Sequence, residues 1–210
     1  MRKNNPYIVL VRPQLPENIG MVARAMDNCG LNKLILVSFN SAYDACRAVA
    51  AIFKAGVIPS ALEFMEREAL DWTMKYIKEA SMELKPATLA QLLIEVDGND
   101  EDLLLKDLEK IIAVLEEHHC DKDILFAEDE AQKDALWFIR RRIGEAVKSN
   151  SIYKEEDTVV PRAELSKLLN GVKEIGNKYG FKSVCYGHAG DGNLHVNIIK
   201  GGMSDEKWEK

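Results

Sequence analysis

The twelve residues Tyr186-Gly-His-Ala-Gly-Asp-Gly-Asn-Leu-His-Val-Asn197 concentrate imidazole, carboxamide and glycine in one short run. Alternating apolar residues on either side of the glycines predict a glycine-rich reversal between two strands. Strand side chains repeat every two residues, which places His195 and Asn197 on one face, and the reversal can bring His188 to the same side. Neutral imidazole is a good ligand for Zn, Fe or Mn, and glycine permits close backbone approach, so the chemistry on offer is a metal-assisted site for an anionic oxygen substrate. The alternative is that Asp191-Gly192 is a hairpin turn whose histidines hydrogen-bond locally.

Three other groups carry possible chemistry. In Trp137-Phe-Ile-Arg-Arg-Arg142, followed by Tyr153-Lys154, the arginines spread around more than half a helical turn, so at most one or two face a common pocket. A guanidinium fork there suits a carboxylate; the alternative is a solvated helix face paired with Glu145 and the acidic run Glu155-Glu156-Asp157. In Pro13 to Arg24, Asn18 reads as a helix cap and Arg24 as a surface residue within two turns of it. His118 and His119 end a long helix, where partial positive charge complements the macrodipole.

The elements that must position these residues read as α with β throughout. Tyr7 to Val11 is a strand, Pro16 to Cys29 a helix stopped by Gly30, and Lys33 to Phe39 a second strand. Ser41 to Lys54 is a helix with Ala45, Val49 and Ile52 on one face; Ser60 to Met65 is a strand, Glu66 to Ala80 a helix, and Leu89 to Val96 a strand. Asp100 can cap a helix through Glu117, in which Leu104, Leu108, Ile111 and Leu115 recur at the 3.6 period, and Asp123 to Ala127 is a strand. Two strand-helix-strand units in tandem, 33–65 and 89–127, predict an α+β fold built on a ferredoxin-like split βαβ antiparallel sheet with helices on one face. A helix from Glu128 to Lys148, an extended piece from Asp157 to Pro161, a helix from Arg162 to Tyr179, the glycine-rich strand pair and the opening of a helix at Asp205 follow.

The 210 residues carry 28 Lys and Arg against 34 Asp and Glu, a formal net charge of -6. This balance disfavours broad nucleic-acid binding, which depends on neutralising phosphates. A chain of this length buries roughly 70% of its unfolded surface, so a core suffices without disulfides. Cys29, Cys46, Cys120 and Cys185 lie far apart with no CxxC pair, which argues for a reducing compartment. With no apolar run near the ~20 residues needed to span a bilayer, the expected location is cytoplasmic. Residues 1–35 hold five basic and two acidic groups, against the acidic remainder, which suggests two segments of different role.

From about Lys33 to the end, the chain resembles the C-terminal substrate and metal domain of FAD-linked oxidases of the glycolate, D-lactate and D-2-hydroxyglutarate dehydrogenase type. The stretches ACRAVAAIFKAGVIPSALEFMER, LLIEVDGNDEDLL, WFIRRRIGEA, EEDTVVPRAEL and above all YGHAGDGNLHVNI carry the resemblance. It implies that His188 and His195 hold a divalent metal such as Zn, Mn or Fe, that Asn197 contacts a small 2-hydroxy acid, that Arg140 binds its carboxylate, and that Lys154 contacts substrate. It also implies FAD as hydride acceptor. The family's third ligand, a Glu, and a catalytic His lie in a downstream Ser-Gly-Glu-His-Gly run, and its FAD domain precedes the substrate domain. Neither is in these residues, so an incomplete domain, inactive alone, is expected.

Residues 1–37, through IVLVRPQLPENIGMVARAMDNCGLNKLILV, resemble instead the opening of SpoU-type tRNA ribose 2'-O-methyltransferases of the SPOUT class. Asn18 and Arg24 match that family's first motif, in which the Arg promotes attack of the ribose hydroxyl. This alternative would make nucleic acid a partner, but the later motifs that bind S-adenosylmethionine are missing. The chain is thus expected to join a methyltransferase-like fragment, 1–37, to an oxidase substrate domain, 33–210, with the junction between Leu31 and Phe39.

Overall fold

The computed structural model describes residues 31–77 and 82–209. The apolar run after Leu31 forms strand β1 (Leu31–Phe39), and its interior side chains are buried on both faces, as a continuous hydrophobic strand requires. Helix α1 (Ala42–Lys54) starts where the Ser41 hydroxyl accepts the Asp44 N–H at 3.1 Å, and buries Ala45, Val49 and Ile52. Strand β2 (Ala61–Glu66) leads into α2 (Arg67–Tyr76), then come β3 (Ala90–Gly98), α3 (Glu101–Glu117) and β4 (Leu125–Phe126). The Asp100 carboxylate caps α3 by accepting the Leu103 N–H at 3.1 Å, and the four periodic leucine and isoleucine positions are buried. His118 ends α3 as its C-cap, and burial lowers its pKa.

The two strand-helix-strand units interleave. Strand β3 lies between β1 and β2, antiparallel to both, with Leu36 opposite Leu93 and Leu62 opposite Ile94, and β4 pairs with the outer side of β1. The sheet then continues past β2. Helix α4 (Glu130–Asn150), β5 (Tyr153–Val159), α5 (Leu165–Tyr179), β6 (Lys182–Gly187), β7 (Asn193–Ile199) and the short α6 (Asp205–Glu209) follow, giving among the described residues seven strands in the order β4-β1-β3-β2-β6-β7-β5. The piece predicted only as extended from Asp157 is thus a full edge strand. Its sequence, YKEEDTV, lacks an apolar alternation because most of its side chains reach solvent.

Helices cover both faces of the sheet, not one. Buried side chains of α1, α3 and α5 pack with Ile35, Val37, Leu92, Ile94 and Leu194 on one side. On the other, Ala69 and Leu70 of α2 and Ile143 and Val147 of α4 pack on Leu36, Leu93, Val184 and Tyr186. The second layer exists because β2, β3, β6 and β7 keep apolar residues on both faces. Cys46, Cys120 and Cys185 are free; burial raises the Cys46 thiol pKa and pushes Cys185 up to about 12, which removes both as nucleophiles. Among the described residues no helix is long and apolar enough to cross a membrane.

Candidate active site

The glycine-rich run folds as a hairpin between β6 and β7 through a 3-10 turn at Ala189–Asp191. The His188 carbonyl accepts the N–H groups of both Asp191, at 2.9 Å, and Asn193, at 3.1 Å. Gly192 turns the chain with φ +76, and a Cβ on it would overlap the Val160 carbonyl oxygen. A Cβ on Gly187 would stand 2.6 Å from the Asn193 carbonyl oxygen. These glycines serve backbone packing, so the run does not form a cradle for a dinucleotide and does not fit FAD by itself.

Because alternate strand residues share a face, His195 and Asn197 of β7, Tyr186 of β6 and Glu63 of β2 all stand on the side covered by α4. The imidazoles of His188 and His195 have ring centroids 6.3 Å apart, and the Tyr186 ring lies 5.2 Å from that of His195. Arg140 reaches the same place from α4, 7% exposed, with its guanidinium carbon 5.5 Å from the Tyr186 ring centre. Burial first, then the nearby Glu155 carboxylate, raise the Tyr186 pKa and keep its hydroxyl protonated.

The hub of this cluster is a residue that sequence reasoning missed. Glu63, 5% exposed, accepts the Arg140 Nε–H at 2.9 Å on Oε2, and its Oε1 lies 2.8 Å from His188 Nδ1. Arg140 Nη2 also sits 2.7 Å from Oε2, close enough for an ion pair but badly aligned for a hydrogen bond. The available signal was a carboxylate inside the apolar strand ALEFME, which demands a buried partner.

The neighbouring positions divide otherwise than expected. Arg141 lies over Trp137 and Arg142 pairs with Glu145 at 2.7 Å, so Arg140 alone of the three enters the site. Lys154 does not: alternation along β5 turns it outward, and its ammonium donates to the Trp208 carbonyl at 2.7 Å. Its neighbour Glu155, opposite Asn197 in the β5–β7 register, faces the site instead. The Glu155 and Asp157 carboxylates approach His195 Nδ1 to 3.3 and 3.5 Å, without aligned hydrogen bonds. The acidic run therefore serves the histidine and not the helical arginines. Asn197, 1% exposed, donates to the Val184 carbonyl at 3.3 Å, and its Oδ1 has no partner among the described residues.

Three carboxylates against one guanidinium leave the cluster negative, a setting that favours a cation. Both histidines turn Nδ1 toward carboxylates, which leaves each Nε2 as a ligand atom. Two imidazole nitrogens are thus the ligand atoms on offer, and among the described residues no group of three or more His, Cys, Asp or Glu side chains is arranged to hold a metal. A cavity of about 310 Å³ opens beside Glu63 and His188, with Ser60, Leu62 and Arg162 on its walls. A second cleft of about 560 Å³, lined by Tyr43, Trp72 and Lys173, contains none of the site residues.

Residues 31–210 match the family described as FAD linked oxidases, C-terminal domain. The chain belongs to that family. Relatives include a D-lactate dehydrogenase of Anaerostipes hadrus, 30% identical over 84% of this chain and 38% of the relative, and the glycolate oxidase subunit GlcD of Bacillus subtilis, 32% identical over 85% and 37%. A probable mitochondrial D-2-hydroxyglutarate dehydrogenase of Oryza sativa is 35% identical over 78% of this chain and 30% of its own length. The chain therefore spans between 30% and 38% of the length of these relatives. An alkyldihydroxyacetonephosphate synthase (TM-score 0.59, 12% identity, 84% of this chain and 36% of that one) and a p-cresol methylhydroxylase (0.58, 11%, 85% and 41%) share the fold. Membership implies FAD as the family's cofactor. Asn18 and Arg24 lie outside the described residues, and the family match begins after them.

Proposed function

We propose that the chain is the substrate-side domain of a FAD-linked dehydrogenase of small 2-hydroxy acids, with Arg140, Asn197, His188 and His195 holding the substrate. The observation that carries this reading is the bridge between Arg140 and His188, far apart in sequence yet joined through one buried carboxylate. The Arg140 guanidinium is the fork for the substrate carboxylate. The buried, unpartnered Asn197 Oδ1 is an acceptor for the 2-hydroxyl proton, which aligns the α-carbon between the two anchors. His188 and His195 would hold Zn, Mn or Fe through Nε2, and such a metal would polarise the hydroxyl oxygen as a Lewis acid.

Glu155 and Asp157 bear on the substrate class. A second carboxylate on the substrate would meet like charge beside His195, which favours a monocarboxylate such as glycolate or D-lactate over D-2-hydroxyglutarate. The strand order of the first four strands supports assigning residues 31–127 to the ferredoxin-like type, extended by β6, β7 and β5. We place the domain's start at residue 31, where β1 and the family match both begin. The family match does not include residues 1–30, and no function is assigned to them in this reading.

Isothermal titration of the full chain with Zn or Mn tests the site. With two protein ligands and no third among the described residues, binding is expected to be weak and to be lost in both His188→Ala and His195→Ala. Tight binding that survives His195→Ala would contradict the assignment.

A further inference from the structure

The side chain of Glu63 is 6% exposed and that of His188 56% exposed, so the carboxylate is fixed by the fold while the imidazole depends on it. A carboxylate only accepts, so the proton shared between Glu63 Oε1 and His188 Nδ1 resides on the imidazole. The neutral ring then carries its free electron pair on Nε2. On the other oxygen, Oε2 accepts the Arg140 Nε–H and holds the guanidinium beside the Tyr186 ring, with Nη2 2.7 Å away as an ion-pair contact. An amide could not do the same: its oxygen would accept from one partner, and its NH2 would confront the N–H of the other.

We infer that Glu63 is the positioning residue of this site, setting the tautomer of His188 and the orientation of Arg140 through the two oxygens of one carboxylate. The purpose of that coupling rests on the function proposed above. A 2-hydroxy acid bears its carboxylate and its hydroxyl on adjacent carbons, so the groups that anchor them need one fixed spacing. A carboxylate shared between both anchors supplies it.

The test is a long-range proton–nitrogen NMR correlation on the 15N-labelled full chain, which distinguishes the two imidazole tautomers, together with Zn titration. In the unaltered protein His188 is expected to carry its proton on Nδ1. Arg140→Lys keeps a counter-charge for Glu63 and should keep that tautomer. Glu63→Leu combined with Arg140→Leu leaves no unpaired buried charge; it should lose the tautomer preference and bind Zn about 10-fold or more weakly than Arg140→Lys. A proton on Nε2 in the unaltered protein would overturn the inference, and so would retention of the Nδ1 tautomer in the double variant. An Nδ1 tautomer in a protein that binds no Zn supports the positioning role and overturns the metal reading alone.

Discussion

Replacing Glu63 by Ala is expected to destabilise the fold by about 3–5 kcal/mol, because it leaves the buried Arg140 guanidinium without its counter-charge. Arg140→Ala strands the carboxylate instead and should cost a similar amount. The two losses will not add. The pair carries a heavy desolvation penalty of its own, so Glu63→Leu combined with Arg140→Leu, which fills the space with apolar side chains, is expected to recover most of the stability. Urea unfolding of the unaltered protein, Glu63→Leu, Arg140→Leu and the double Leu variant closes this cycle, and the two Ala variants give the single losses. Additive losses would mean that the two groups are not coupled, and the site would lose its central contact.

The second large effect is expected at the hairpin. Gly56 and Gly192 both have positive φ, +83 and +76, but a Cβ on Gly56 meets open space whereas one on Gly192 overlaps the Val160 carbonyl. Gly56→Ala should therefore cost about 1–2 kcal/mol, the ordinary penalty of a left-handed L-residue. Gly192→Ala pays that and must also displace the segment that carries Val160, whose N–H bonds the Gly192 carbonyl at 3.0 Å. Its loss should exceed that of Gly56→Ala by more than about 1 kcal/mol and should shift the NMR signals of His188 and His195. Equal losses at the two glycines would show that the close approach to Val160 is not a structural requirement.

The parts of the fold legible in the sequence are those where periodicity and local chemistry agree. The Asp100 cap, the buried stripe of α3, the strand positions of Leu36, Leu62 and Ile94 and the hairpin after Tyr186 all rest on local signals, and the structure realises each. Leu125 lies in its predicted strand too, but at an exposed edge. Strand β5 was legible only in part, because an edge strand rich in carboxylates carries no hydrophobic alternation. The orientation of Lys154 away from the cluster was hidden for a related reason: without the β5–β7 register, nothing tells which of Lys154 and Glu155 faces Asn197. The second helical layer was hidden because burial of a strand's other face is a tertiary fact. Glu63 was hidden for the same reason, since its partners come from α4 and from the end of β6.

The central claim is that Arg140, Asn197, His188 and His195 form one binding site for a small 2-hydroxy acid. Its most direct test is titration of the 15N-labelled chain with D-lactate, in the presence of Zn, while the side-chain signals of these four residues are followed by NMR. The expected result is a saturable shift of all four with one dissociation constant, a weaker response to D-2-hydroxyglutarate, and loss of the response in Arg140→Leu. Unshifted signals at saturating metal, or shifts confined to residues outside this cluster, would contradict the account.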